Sequence, residues 1–206
     1  MAHAGRPKKD AVGEPNREKI ISAAVEIIRK DGAGALTVRN VCDWAGVSIG
    51  TFYHWFGNRD DLMMTFIRDV RFDLSDCPVP EEDRAGRVTA LYMKLIRRYE
   101  ALGIDFMRQF YSTTNSVLSS HMGQSGGTFA EGTVMWECEN LLNAAKEKGS
   151  LPEATDVHGL SEDICTIVKG CVFEWALNNG GMEMETCLLR MVQRYLAAFL
   201  IGQRVL

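Results

Sequence analysis

A chain of 206 residues, 46% hydrophobic and 24% charged, has the balance of a globular protein of one or two domains. That balance excludes a collagen-like fibre, a disordered tail and a disulfide-stapled miniprotein. The longest apolar run, Tyr195 to Ile201, is seven residues against the roughly 18 of a membrane span, so no bilayer-crossing segment is expected.

The N-terminal Met-Ala-His-Ala-Gly-Arg-Pro-Lys-Lys is basic but runs into Asp10 and Glu14 without an apolar core, which is not the pattern of a secretory signal and predicts a cytoplasmic protein. The six cysteines, at 42, 77, 138, 165, 171 and 187, are widely spaced in a chain large enough to bury a core, and none forms a Cys-x-x-Cys pair. Buried free thiols are expected rather than a disulfide framework or a zinc site. The net charge of −4 is uneven: residues 1–59 hold nine Lys/Arg against six Asp/Glu, and residues 60–206 hold 14 against 21. A mildly basic head on an acidic body fits a polyanion-binding module joined to a second unit.

Apolar residues recur three and four apart almost throughout, and no stretch alternates with period two, so the fold class is all-α with about nine helices. Asn16 is the expected cap of the first helix, with Ile20, Ala23, Ala24, Ile27 and Ile28 as its face and Gly32 as its stop. Thr37 caps a short second helix closed by Gly46. Ser48 caps a third, Ile49 to Phe56, closed by Gly57. Asn58 caps a fourth, with Asp61 in a capping-box-like position and Leu62, Phe66, Val70 and Leu74 as its stripe, ending at Cys77-Pro78-Val79-Pro80. Further helices are expected at about Arg84 to Leu102, Ile104 to Tyr111, Phe129 to Lys148, Leu160 to Asn178 and Glu183 to Gln203. Residues 112–128, rich in Ser, Thr and Gly, read as a connector.

Residues 37–56 are the most informative stretch. Two short helices joined by the tight turn Ala45-Gly46-Val47-Ser48 make a helix-turn-helix, whose second helix can enter a major groove about 12 Å wide. Phe52 and Phe56 face inward with Val47, leaving Ile49, Gly50, Thr51, Tyr53 and His54 for solvent or DNA. Small residues at the start of that helix allow close backbone approach, and its free N–H groups favour a phosphate. Thr37, Ser48, Thr51 and Tyr53 supply hydroxyls for phosphate oxygens, Arg39 can reach guanine O6/N7, and Arg59 can hold the flanking backbone.

The run Leu36-Thr37-Val38-Arg39, then Ala45-Gly46-Val47-Ser48-Ile49-Gly50-Thr51-Phe52-Tyr53-His54-Trp55-Phe56, then Asn58-Arg59-Asp60-Asp61-Leu62 resembles the DNA-binding segment of the TetR family of bacterial regulators. The likeness covers about Arg17 to Leu62. It implies a homodimer that binds a palindromic double-stranded DNA operator and is released by a small-molecule effector. By position, it implies phosphate contacts at Thr37, Thr51, Tyr53 and Arg59, and base readers at Arg39, Ile49 and His54. Two positions depart from the pattern: Trp55 stands where His or Tyr is common, and Arg59 where Lys is. Trp55 keeps only an indole N–H donor.

The expected organisation is a basic arm over 1–15, a helix-turn-helix DNA-binding domain over 16–60, and a helical effector-binding and dimerisation domain over 61–206. Within the arm, Gly5-Arg6-Pro7-Lys8-Lys9 can extend into a minor groove. The last two helices carry apolar residues on more than one face, among them Ile164, Val168, Val172 and Trp175 in one and Leu188, Val192, Tyr195 and Phe199 in the other, which points to a dimer seam. Tyr92, Tyr99, Phe106, Phe110, Trp136 and Trp175, with Met93 and Met107, are the candidate ligand-binding walls for an apolar or aromatic effector between the fifth, seventh and eighth helices.

Gly123-Gln124-Ser125-Gly126-Gly127 fits a nucleophile-elbow pattern but has no strand before it, and Asp156 and His158 are too close in sequence to complete a triad. His121 and His158 lack metal-ligand spacing. No catalytic residue, metal or cofactor is therefore expected. The sequence reads as a DNA-binding transcriptional regulator, more specifically a repressor; the different-class alternative is a helical small-molecule binding or carrier protein with a vestigial helix-turn-helix.

Overall fold

The computed structural model describes residues 14–68, 70–112, 115 and 127–199, which hold nine α-helices and no β-strand. In chain order these are α1 (Glu14–Asp31), α2 (Val38–Ala45), α3 (Ile49–Trp55), α4 (Arg59–Arg68), α5 (Arg84–Leu102), α6 (Ile104–Phe110), α7 (Val134–Glu147), α8 (Val157–Leu177) and α9 (Met184–Leu196). The chain divides into two compact units, residues 1–65 and 66–206. The basic arm, most of the 112–128 connector and the glycine-serine motif at 123–127 lie outside the described residues, apart from Gly127.

In the first unit, α1 buries Ile20, Ala23, Ala24 and Ile27 on one face, against Val41 and Cys42 of α2 and Phe52 of α3. The helix starts at Glu14, not after Asn16, so Asn16 lies inside it. Pro15 explains the difference: in a first turn its missing N–H is one that has no helical partner anyway. Gly32 ends α1 at φ 80°, a backbone conformation that only glycine adopts cheaply, and a single 3₁₀ turn, Ala33–Ala35, leads on to α2.

In the second unit, α5 is the central helix, packed against α7 and α9, while α8 packs against the same two helices. Val88, Leu91, Tyr92, Leu95, Ile96 and Tyr99 are buried on α5, with Cys138 and Leu142 of α7, Ile164 and Val168 of α8, and Leu188 and Val192 of α9. Asp83 caps α5, its Oδ1 accepting the Gly86 amide at 2.8 Å. A Cβ at Gly86 would stand 2.8 Å from Val79 Cγ1, so this glycine lets the preceding loop lie directly on the helix.

Other boundaries also differ from the pattern-based expectation, the eighth helix starting at Val157 and not at Leu160. The fourth helix ends at Arg68, and Val70 and Leu74 belong to a non-helical segment. Their spacing imitates a helical stripe, but Phe72 between them is also buried, which a single stripe would not predict. The seventh helix starts at Val134, where Thr133 Oγ1 accepts the Trp136 amide at 3.3 Å, and not at Phe129. The ninth ends at Leu196, short of Gln203, with residues 200–206 outside the described range.

Candidate nucleic-acid interface

The α2–α3 pair is fixed by local chemistry. Thr37 Oγ1 accepts the Asn40 amide at 3.1 Å at the start of α2, and Asn40 Nδ2 donates back to Ala35 O at 2.9 Å. Gly46 closes α2 in the left-handed conformation (φ 65°, ψ 36°). From there the chain turns at once into α3: the Val47 amide donates to Cys42 O at 3.1 Å, and the Cys42 thiol donates to Ser48 O at 3.8 Å. Burial, with a smaller contribution from Asp43, pushes the Cys42 thiol up, so it stays a neutral donor at physiological pH. Ser48 caps α3, its Oγ accepting the Thr51 amide at 3.0 Å.

Phe52 is fully buried and Phe56 nearly so, their ring centroids 5.6 Å apart, and the Arg17 guanidinium lies 5.9 Å from the Phe56 centroid. These two rings hold one face of α3 to the core. The opposite face is open: Ile49 is 52% and Tyr53 55% exposed, and Gly50 and His54 are exposed too. Two large, partly apolar side chains left in water on a seven-residue helix mark a surface that some other body covers. Thr37, Arg39 and Ser48 are exposed as well, and Thr51 is half-buried with its hydroxyl 2.8 Å from Ser48 Oγ.

Arg59 opens α4 half-buried. Its Nε and Nη2 donate to Asp60 Oδ1 at 3.1 and 2.9 Å, leaving the remaining guanidinium donors for another acceptor. The turn before it carries the reciprocal cap: Asn58 Oδ1 accepts the Asp61 amide at 2.8 Å, and Asp61 Oδ2 accepts the Gly57 amide at 3.1 Å. Trp44 is a residue that sequence reasoning passed over: it is 46% exposed on α2, and Lys30 Nζ lies 5.1 Å from its ring centroid. Its place on the polar side of a short helix was the available signal.

Of the six aromatic residues expected to wall a ligand site, Tyr99, Phe106 and Phe110 form one cluster. Phe106 and Phe110 stack at 5.7 Å, Tyr99 leans on Phe110 at 6.2 Å, and the Tyr111 hydroxyl donates to Tyr99 Oη at 3.2 Å. Tyr92 is buried against the Cys138 and Cys165 thiols, and its hydroxyl has no well-formed hydrogen bond. Trp175 is buried on α8 and Trp136 half-buried on α7. None of the six lines the open cleft of about 740 Å³ bounded by the 70–74 segment, α5 and α7.

A short capped helix held to a three-helix core by two aromatic rings, with its other face bare, defines a helix-turn-helix module. Residues 20–64 match the family model described as bacterial regulatory proteins, tetR family. That match spans the helix-turn-helix module described above. Over 60 residues it is 37% identical to the HTH-type transcriptional regulator BetI 2 of Chromohalobacter salexigens, a match covering 29% of each chain. With the fatty acid metabolism regulator protein of Bacillus subtilis it shares 23% identity over 180 residues, 80% of this chain and 86% of that one. The crystal structure of Thermus thermophilus FadR, a TetR-family repressor in complex with lauroyl-CoA, superposes with a TM-score of 0.64 at 16% identity, covering 92% of this chain and 98% of the other, a likeness of fold. Among the described residues, no helix is long and apolar enough to cross a membrane.

Proposed function

We propose that this protein is a transcriptional regulator that binds a palindromic DNA operator as a homodimer and is released from it by a small-molecule effector. The observation that carries the reading is the bare face of α3, where Ile49, Gly50, Tyr53 and His54 stand exposed on a helix whose other side is locked by Phe52 and Phe56. Arg39, Ile49 and His54 read bases; Thr37, Ser48, Thr51, Tyr53 and Arg59 hold phosphates. The helix-turn-helix domain is assigned to residues 16–60, and effector binding and dimerisation to 61–206.

For the dimer, α8 leaves Phe173 and Leu177 54% and 58% exposed one turn apart, and α9 leaves Met191 38% exposed. Apolar residues this open on two long neighbouring helices favour burial against a second copy. For the effector, the interior among α5, α7 and α8 supplies Tyr92, Tyr99, Phe106, Phe110, Trp136 and Trp175, and the buried Thr89 Oγ1 and Tyr92 Oη lack hydrogen-bond partners that a ligand can supply.

Fluorescence anisotropy with the DNA upstream of the protein's own gene tests the reading. A dimer making about 6 to 10 phosphate contacts loses about 10³- to 10⁵-fold in affinity between 50 and 200 mM salt. A carrier with an idle helix-turn-helix would show no sequence-selective binding at any salt, which would overturn the proposal.

A further inference from the structure

Arg84, in the first turn of α5, is 7% exposed, and its Nε is buried with no hydrogen-bond partner. It lines the cleft of about 740 Å³ between the 70–74 segment, α5 and α7. A buried guanidinium with an orphaned donor is costly unless another group replaces the water it lost. The neighbouring charges are already engaged. Glu81 pairs with Lys148 at 2.5 Å, which holds its carboxyl below the usual range. Asp73 accepts both the amide and the hydroxyl of Ser75, at 2.8 and 2.7 Å. Arg87 spends its guanidinium on the carbonyls of Val79 and Leu74, which ties the loop to the helix. Glu137 on α7, its carboxyl pushed up by burial and by Asp73, makes no ion pair with Arg84.

Arg71 and Asn140 complete the polar lining, and Phe72, Leu74, Leu91, Leu141 and Ala144 form the apolar part. We propose that this cleft binds an amphiphilic carboxylate, its head group on the Arg84 guanidinium and its hydrocarbon part against Phe72, Leu91 and Leu141. One guanidinium edge matches a carboxylate bidentately. A phosphate monoester dianion is the poorer fit, because Asp73, Glu81 and Glu137 on the same walls repel a second negative charge. The site goes beyond the aromatic interior assigned above, and its test uses no DNA, so it stands or falls separately from operator binding.

Calorimetric titration of the full chain with octanoate, octanol and octyl phosphate checks it. Octanoate binds saturably, one per chain, and about tenfold or more tighter than the other two; Arg84→Met weakens octanoate by about 10- to 100-fold, the loss of a charge-assisted bidentate contact, and leaves octanol unchanged. Without ligand, the melting temperature of Arg84→Met is equal to or above that of the parent chain, since an unpaired buried charge has been removed. Arg84→Lys is the second variant, keeping the charge without the fork: it binds octanoate several-fold more weakly than the parent and still prefers it to octanol. Equal octanoate affinity in the parent and in either variant overturns the proposal, as does octanol or octyl phosphate binding as tightly as octanoate.

Discussion

Ser48 and Thr51 are joined twice: the Ser48 hydroxyl oxygen accepts the Thr51 amide at 3.0 Å and lies 2.8 Å from the Thr51 hydroxyl. The same pair of hydroxyls both starts α3 and faces outward beside Ile49 and Tyr53. A cap of this kind is worth about 1 kcal/mol. Ser48→Ala is therefore expected to lower stability by about that amount in chemical denaturation. It should weaken operator binding by more than a capping loss explains, because α3 frays at the end that approaches DNA. Unchanged binding would separate the cap from the interface.

Arg39 and Tyr53 are both exposed, and the proposed reading gives them different tasks. Arg39→Ala should flatten the ranking of operator variants, each lost bidentate base contact costing about 1–3 kcal/mol of discrimination. Tyr53→Phe and Arg59→Ala should weaken all sequences alike, several-fold, with Arg59→Ala also lowering the salt slope by about one. Binding curves over a panel of single-base operator variants decide between the two behaviours. An unchanged ranking with Arg39→Ala would remove that residue from base reading.

Much of the first unit was legible because its signals are local. Thr37, Ser48 and Asn58 cap where their side chains predict, and Gly46 turns left-handed where a non-glycine residue would be strained. In the second unit the helix Arg84–Leu102 was legible from its own stripe. What periodicity could not supply is tertiary. Val70 and Leu74 are four apart like a helical stripe, yet they line a cleft from a non-helical segment. Tyr99, Phe106 and Phe110 pack on one another, and a ring does not announce in sequence which neighbour will cover it. Arg84 opens α5, and nothing local in the sequence marks it as buried.

Phe173 and Leu177 test the proposed dimer. Leu177→Glu places a charge in the middle of an exposed apolar patch on α8, where it costs nothing in a monomer and several kcal/mol in a desolvated interface. Sedimentation velocity is expected to show a dimer for the parent chain and a monomer for Leu177→Glu and for Phe173→Glu, with helical content unchanged by circular dichroism. Dimers that persist in both variants would move the seam away from α8.

The buried acids set an alkaline limit on stability. Burial pushes the Cys138 thiol up to about 12, and it also raises the phenols of Tyr92 and Tyr99 above their ordinary value. These groups ionise near 9 and 10 in the unfolded chain, so above pH 9 the unfolded state sheds protons that the folded state keeps. Their contribution to stability is constant below about pH 8 and falls from about pH 9 upward, each fully shifted group contributing up to about 1.4 kcal/mol per pH unit until its folded value is reached. The same burial keeps Cys42, Cys138, Cys165 and Cys171 from reacting, while Cys77 and Cys187 are half-exposed. Urea denaturation from pH 7 to 10.5 should show the decline. A thiol-disulfide reagent at pH 8 should label Cys77 and Cys187 quickly and the other four only at the rate of unfolding. Fast labelling of Cys138 in folded protein, or a denaturation midpoint that does not move up to pH 10.5, would mean that the α5, α7 and α8 interior is open to water.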